Sequence, residues 1–178
     1  MSLGTRTASD LEQLLDELEK QAAPIPPESI ERVAKAIADI FRLKTDEVAI
    51  LEIAPPGKLL RFVVPAQLRA VGTIPLSSSS ALAARTVRSR RAEIVNSFHS
   101  FPHASVFEGV PMGRRYDESI YKMVSAPILN ENRVIGVVQL CRKGISPLDA
   151  GPDFTASDLA ELKGLSNLLV RFLALNRT

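Results

Sequence analysis

The side chains with which this sequence could do chemistry fall into four groups. They are a lone thiol, two histidines four residues apart, four arginines between positions 85 and 91, and three phenylalanines inside one irregular stretch. Cys141 is followed by Arg142 and Lys143, cations that would favour the thiolate of an exposed cysteine. It also closes an apolar run, where a small packed hydrophobe is the better reading. A single cysteine excludes an intramolecular disulfide, a cysteine-rich zinc cluster and an intramolecular resolving thiol. His99 and His103 have the spacing of a helical metal pair, but Pro102 between them opposes that helix, so no metal site is expected. Arg85 and Arg88 stand one helical turn apart behind Ser77 to Ser80, whose hydroxyls and backbone N–H groups suit an anion. The plainer reading of Arg85, Arg88, Arg90 and Arg91 is a solvated face. Phe98, Phe101 and Phe107, with Tyr121 and Ser125 nearby in sequence, combine apolar walls with polar anchors, the mixture of a small-molecule pocket. The candidate ligand contacts are therefore Phe98, Phe107, Tyr121, Ser125 and Arg85, with no catalytic residue assigned.

The elements that must hold these residues follow from periodicity. Leu11, Leu14, Leu15 and Leu18 recur at i, i+3, i+4 and i+7, predicting an amphipathic helix over residues 8–21 with Ser9 as its N-cap. Three prolines in residues 22–27 end it and start a second helix over 28–43 with proline at its first position. Strands are expected at 47–53 and 59–64 around a Pro/Gly turn, with short ones at 74–77 and 92–95 and a helix over 81–89 capped by the serines. Residues 96–117 lose all period and read as a binding loop, closed by a short helix over 117–122 that Asp117 and Glu118 would cap. Two apolar strands, 123–129 and 133–141, flank Asn130-Glu131-Asn132 as a turn, and residues 143–152 read as a loop. One long helix is expected over 155–175, opened by a Thr155-to-Asp158 capping box. Its Leu162, Leu165, Leu169 and Phe172 have the spacing of a coiled-coil seam, widened by Leu159, Leu168 and Leu173.

Composition sets the class. The 178 residues are 46% hydrophobic, enough for one domain with a core that needs no staple. A net charge of +2, from 22 Lys and Arg against 20 Asp and Glu, gives no ground for a nucleic-acid or membrane partner. With neither a signal peptide nor a membrane-length apolar run, a cytoplasmic location is expected.

Three segments then carry a resemblance. Residues 122–129 read Lys-Met-Val-Ser-Ala-Pro-Ile-Leu, residues 133–140 read Arg-Val-Ile-Gly-Val-Val-Gln-Leu, and residues 154–159 read Phe-Thr-Ala-Ser-Asp-Leu. A strand ending in Pro-hydrophobic, a Gly-Val-hydrophobic-Gln-hydrophobic strand and a Phe-Thr-x-x-Asp helix start, in this order, resemble a GAF domain. The likeness runs from about Pro27 to Leu175, and residues 82–87 before 93–96 look like that family's mid-domain helix and strand. The resemblance implies an α+β fold, GAF-like and PAS-related. Its central antiparallel sheet has terminal helices on one face and a pocket, roofed by residues 96–117, on the other. Residues 1–26 would form a helical extension with a proline-rich linker, and 27–178 the domain with its C-terminal helix.

The specialised chemistries of the family fit less well. The cyclic-nucleotide signature Asn-Lys-Phe-Asp-Glu is broken, since Gly113 stands where Phe belongs before Asp117-Glu118 and Ser97 follows Asn96. A bilin needs a cysteine in the helical pocket region, which Cys141 does not provide, and haem has no support either. Free methionine sulfoxide reduction uses several cysteines. The resemblance thus implies a non-catalytic sensor that binds a small molecule and signals through helix-mediated homodimerisation. The leucine stripes of the terminal helices would form the interface, and a separate protein would receive the output. A ligand-free dimerisation scaffold is the alternative, and a thiol-dependent enzyme using Cys141 the third option.

Overall fold

The computed structural model describes residues 6–21, 23–70, 72–100 and 118–177. In chain order these form α1 (Ala8–Glu19), α2 (Pro27–Phe41), β1 (Val48–Ala54), β2 (Leu59–Val64), β3 (Thr73–Pro75), α3 (Leu82–Ser89), β4 (Glu93–Val95), β5 (Ser119–Asn130), β6 (Arg133–Gly144), α4 (Pro147–Ala150), α5 (Ala156–Gly164) and α6 (Ser166–Leu175). The strands make one six-stranded sheet in the order β3-β2-β1-β6-β5-β4, with every neighbouring pair antiparallel.

The sheet alternates between two cores because successive side chains leave a strand on opposite faces. Val48 and Ile50 of β1, with Val124, Ala126 and Ile128 of β5, meet α1, α2, α5 and α6. Ala49 and Leu51, with Met123 of β5 and Val137 and Cys141 of β6, meet α3 and the short turns at Ala66–Leu68 and Phe98–Ser100. Phe172 and Phe62, one in each core, are almost wholly buried, and each such side chain contributes about 2–3 kcal/mol of transfer free energy.

Several expectations change. The N-cap of α1 is Thr7 rather than Ser9, because Asp10 stands three residues on and accepts the Thr7 N–H at 2.6 Å. Residues 118–122 form no helix. Residues 119–122 are the start of β5, held by pairing of Ser119 with Gly144 and Lys122 with Arg142, so Glu118 precedes a strand and Asp117 lies outside the described residues. The β5–β6 hairpin turns on Glu131 and Asn132, both left-handed at φ 49° and 67°. The loop expected at 143–152 contains α4, whose N-cap Ser146 accepts from the Asp149 N–H.

The single C-terminal helix is two, α5 and α6, stepped at Leu165. Gly164 weakens the helix there, and the step lets Leu162, Leu165 and Leu169 reach one core. The Thr155 capping box is present, with the Thr155 N–H donating to Asp158 at 2.8 Å.

The leucine stripes also face differently from expectation. Leu11, Leu14, Leu15 and Leu18 of α1, and Leu162, Leu165, Leu169, Phe172 and Leu173 of α5 and α6, are all buried within this one chain. Among the described residues, the large apolar side chains left exposed are Ile145 and Leu148, neither on those helices. The helical extension is part of the helix layer: α1 is tied to α2 by Arg32 to Glu17, and to α6 by Arg171 to Asp16 and Glu19. No helix among the described residues is long and apolar enough to cross a membrane.

Candidate functional site

The face of the sheet under α3 carries a line of polar side chains through an otherwise apolar core. α3 starts after Ala81, whose N–H donates to Ser78 Oγ at 3.1 Å, so one residue of the serine run serves the helix start through its hydroxyl. One turn further on, Thr86 faces the sheet, 1% exposed, and its hydroxyl donates back to the Leu82 carbonyl at 2.9 Å. Thr86 Oγ1 lies 2.7 Å from Ser125 Oγ on β5, and Gln139 Nε2 on β6 donates to Ser125 Oγ at 3.1 Å. Because the Thr86 proton is already directed to Leu82, Ser125 must donate to Thr86. Protons therefore point one way, from Gln139 through Ser125 and Thr86 to the helix backbone, each bond polarising the next.

The sequence-expected ligand contacts separate on this frame. Ser125 is at the centre of the line and fully buried. Phe98 is buried in the same core, beside the sheet positions of Ile120, Met123 and Cys141. Tyr121, the third residue of β5, stacks its ring on His99 at 4.7 Å between centroids and donates its hydroxyl to the Ile145 carbonyl at 3.3 Å. Arg85 is on the outer side of α3, half exposed and paired with Glu93 at 2.9 Å. Phe107 lies outside the described residues, as do Phe101, His103, Arg114 and Arg115. Phe98 and Ser125 thus share one core, while Arg85 points away from it.

Thr86 and Gln139 complete the line and were absent from the sequence-derived set. Gln139 had a visible signal, since it interrupts the apolar run from Val134 to Leu140. Thr86 had none, because its partner is 39 residues away.

The arginine cluster is put to structural use. Arg88 donates to the carbonyls of Leu76 and Ser78 at 2.5 and 2.8 Å, fastening the loop before α3, and Arg90 donates to the Asn132 carbonyl at the β5–β6 turn. Arg90 and Arg91 also line a cavity of about 380 Å3 with Lys163, Pro127 and Leu129. Cys141 is 0% exposed, a packed core residue rather than a semi-exposed thiol.

Comparison with known proteins places this architecture. The GAF domain family model matches residues 27–174. The GAF domain of an Acinetobacter phosphoenolpyruvate-protein phosphotransferase superposes with a TM-score of 0.64 at 12% identity, over 94% of this chain and 93% of that one. A segment of a methyl-accepting chemotaxis protein gives 0.60 at 16% identity, over 93% and 100%. The free methionine-R-sulfoxide reductase of Neisseria meningitidis, solved with its substrate, also gives 0.60 at 16%, over 93% and 87%. No curated protein matches. At these identities the solved structures share the fold.

Proposed function

The chain belongs to the GAF domain family, and from that we propose that it is a non-catalytic sensor whose small-molecule side is the α3 face of the sheet. The observation that carries this reading is the unlike covering of the two faces. Among the described residues, four helices meet one side over an apolar core, whereas the other carries one two-turn helix and short turns around the buried line Gln139, Ser125 and Thr86. Polar groups set in an apolar sheet face are what a ligand side needs for orientation. Occupancy there would bias how the strands present Val124, Ala126 and Leu140 to the helix layer, and so reach α1, α2 and α6. The output would pass to a separate protein or a second copy of the chain. A homodimer built on the helix layer would use its charged outer surface, where Arg32, Arg171 and their carboxylate partners sit, because the leucines face inward.

A full internal accounting of the polar line favours a second reading, the ligand-free scaffold. Each member already has a partner, so the line is stable without a ligand. Thiol catalysis by Cys141 requires the Sγ to leave a packed core. A melting-temperature screen against metabolites, with light scattering for association, separates the three. The sensor reading expects a compound that raises the melting temperature of the wild type and not of Thr86→Val. A dimer whose melting temperature ignores every metabolite favours the scaffold. Thiol-dependent turnover lost in Cys141→Ser would establish the enzyme.

A further inference from the structure

At the end of the sheet where the β1–β2 and β5–β6 turns lie side by side, a cleft of about 880 Å3 opens between them and the last turn of α6. None of the α3-face residues described above lines it. Its polar lining is sorted by depth. Glu52 and Asn176 lie deep, 3% and 2% exposed. Glu52 takes both hydrogen bonds from Arg61 on Oε1, leaving Oε2 without a protein partner among the described residues. Asn176 donates its Nδ2 to the Phe172 carbonyl at 2.9 Å, which fixes Oδ1 as the acceptor, and that Oδ1 is buried without a hydrogen bond. Arg69, Arg133 and Arg177 stand nearer the solvent, and their guanidinium groups make no ion pair or hydrogen bond among the described residues. Half-buried Ile53, Val134 and Ile135 give the cleft an apolar strip.

Deep acceptors and outer cations ask for opposite ends of one molecule. A buried acceptor without a donor is costly, and an ammonium brings three donors, enough for Glu52 Oε2 and Asn176 Oδ1 together. A neutral hydroxyl brings one. Arg61 already balances the Glu52 charge, so the three unpaired arginines leave the cleft cationic and suited to a carboxylate, which guanidinium binds in fork geometry. We propose that the cleft binds a free α-amino acid with an apolar side chain, its ammonium on Glu52 and Asn176 and its carboxylate among Arg69, Arg133 and Arg177. This site is separate from the α3 face, and its occupancy does not depend on the sensor reading above.

Calorimetric titration of the whole protein with L-leucine tests it, against isocaproate, isoamylamine and α-hydroxyisocaproate, which lack the ammonium, lack the carboxylate, or carry a hydroxyl for the ammonium. Leucine is expected to bind at least about tenfold more tightly than each analogue. Glu52→Gln and Arg133→Ala are each expected to weaken leucine about tenfold or more, with circular dichroism showing the fold intact. Arg133 is at an exposed turn, so its variant reports even where the Glu52 change disturbs folding. Absence of leucine binding overturns the proposal. So does isocaproate or α-hydroxyisocaproate binding as tightly as leucine, or full affinity in both variants.

Discussion

Ser125 shows how much a single hydroxyl can be asked to do inside a sheet. It accepts from Gln139 and donates to Thr86, and is wholly shielded from bulk solvent. Removing it leaves the Gln139 amide donor stranded and Thr86 short of a proton, the situation in which a hydrogen bond costs more to break than it contributed when made. Ser125→Ala is therefore expected to lower unfolding free energy by about 1–3 kcal/mol in urea titrations. Adding Gln139→Leu and Thr86→Val should recover much of that loss, because the stranded groups then go too. Equal additive losses in all three would show that the line is not a unit. Gln139 was readable as an oddity in an apolar strand, but its partners were not, since the bonds join residues far apart in the chain.

Among the elements, the β5–β6 hairpin is the longest-paired part of the sheet and yet turns on two residues that are not glycine. Glu131 and Asn132 both have positive φ, the geometry of a two-residue turn whose twist suits antiparallel strands. Asparagine tolerates this conformation and glutamate resists it. Glu131→Asn combined with Asn132→Gly is expected to stabilise the protein by about 0.5–1 kcal/mol and raise its melting temperature, provided strand register is kept. A lower melting temperature would mean that contacts of Glu131 or Asn132, such as the Asn132 carbonyl with Arg90, outweigh turn strain. The hairpin itself was legible as two apolar runs around a turn. Its extension to residue 119 was not, because Ser119 and Ile120 acquire strand character only by pairing with Gly144 and Lys143 at the far end of β6.

For the molecule as a whole, the helix layer is held by its leucines and finished by charge at its rim. Arg171 on α6 reaches both Asp16 and Glu19 on α1, joining the two ends of the chain. Its guanidinium holds the Glu19 carboxyl below the usual range, and Arg32 does the same for Glu17. A carboxyl depressed in the folded state adds stability above its unfolded pKa and loses it as pH falls through the folded value. Arg171→Met is thus expected to melt lower than wild type at neutral pH. The gap should narrow as pH drops below the ordinary carboxylate range, and also as salt rises. A gap that stays constant in acid and salt would assign the loss to packing of the arginine stem instead.

The sequence alone determined most of the element types and the GAF likeness. Both rest on local repeats, the 3.6-residue period of the leucines, the two-residue period of the strands and the turn residues between them, which any short window of chain contains. It could show that α1 and α6 each carry an apolar stripe, but not what the stripe meets. Tertiary structure decided that: the stripes close over this chain's own sheet, because burying them there requires no second molecule and places α1 against α6. It also decided which polar groups share a space. The line from Gln139 to Thr86, and the cleft where Glu52, Asn176 and three arginines converge, unite residues from distant segments. No local period encodes such meetings; only the register of the sheet and the seating of the helices produce them.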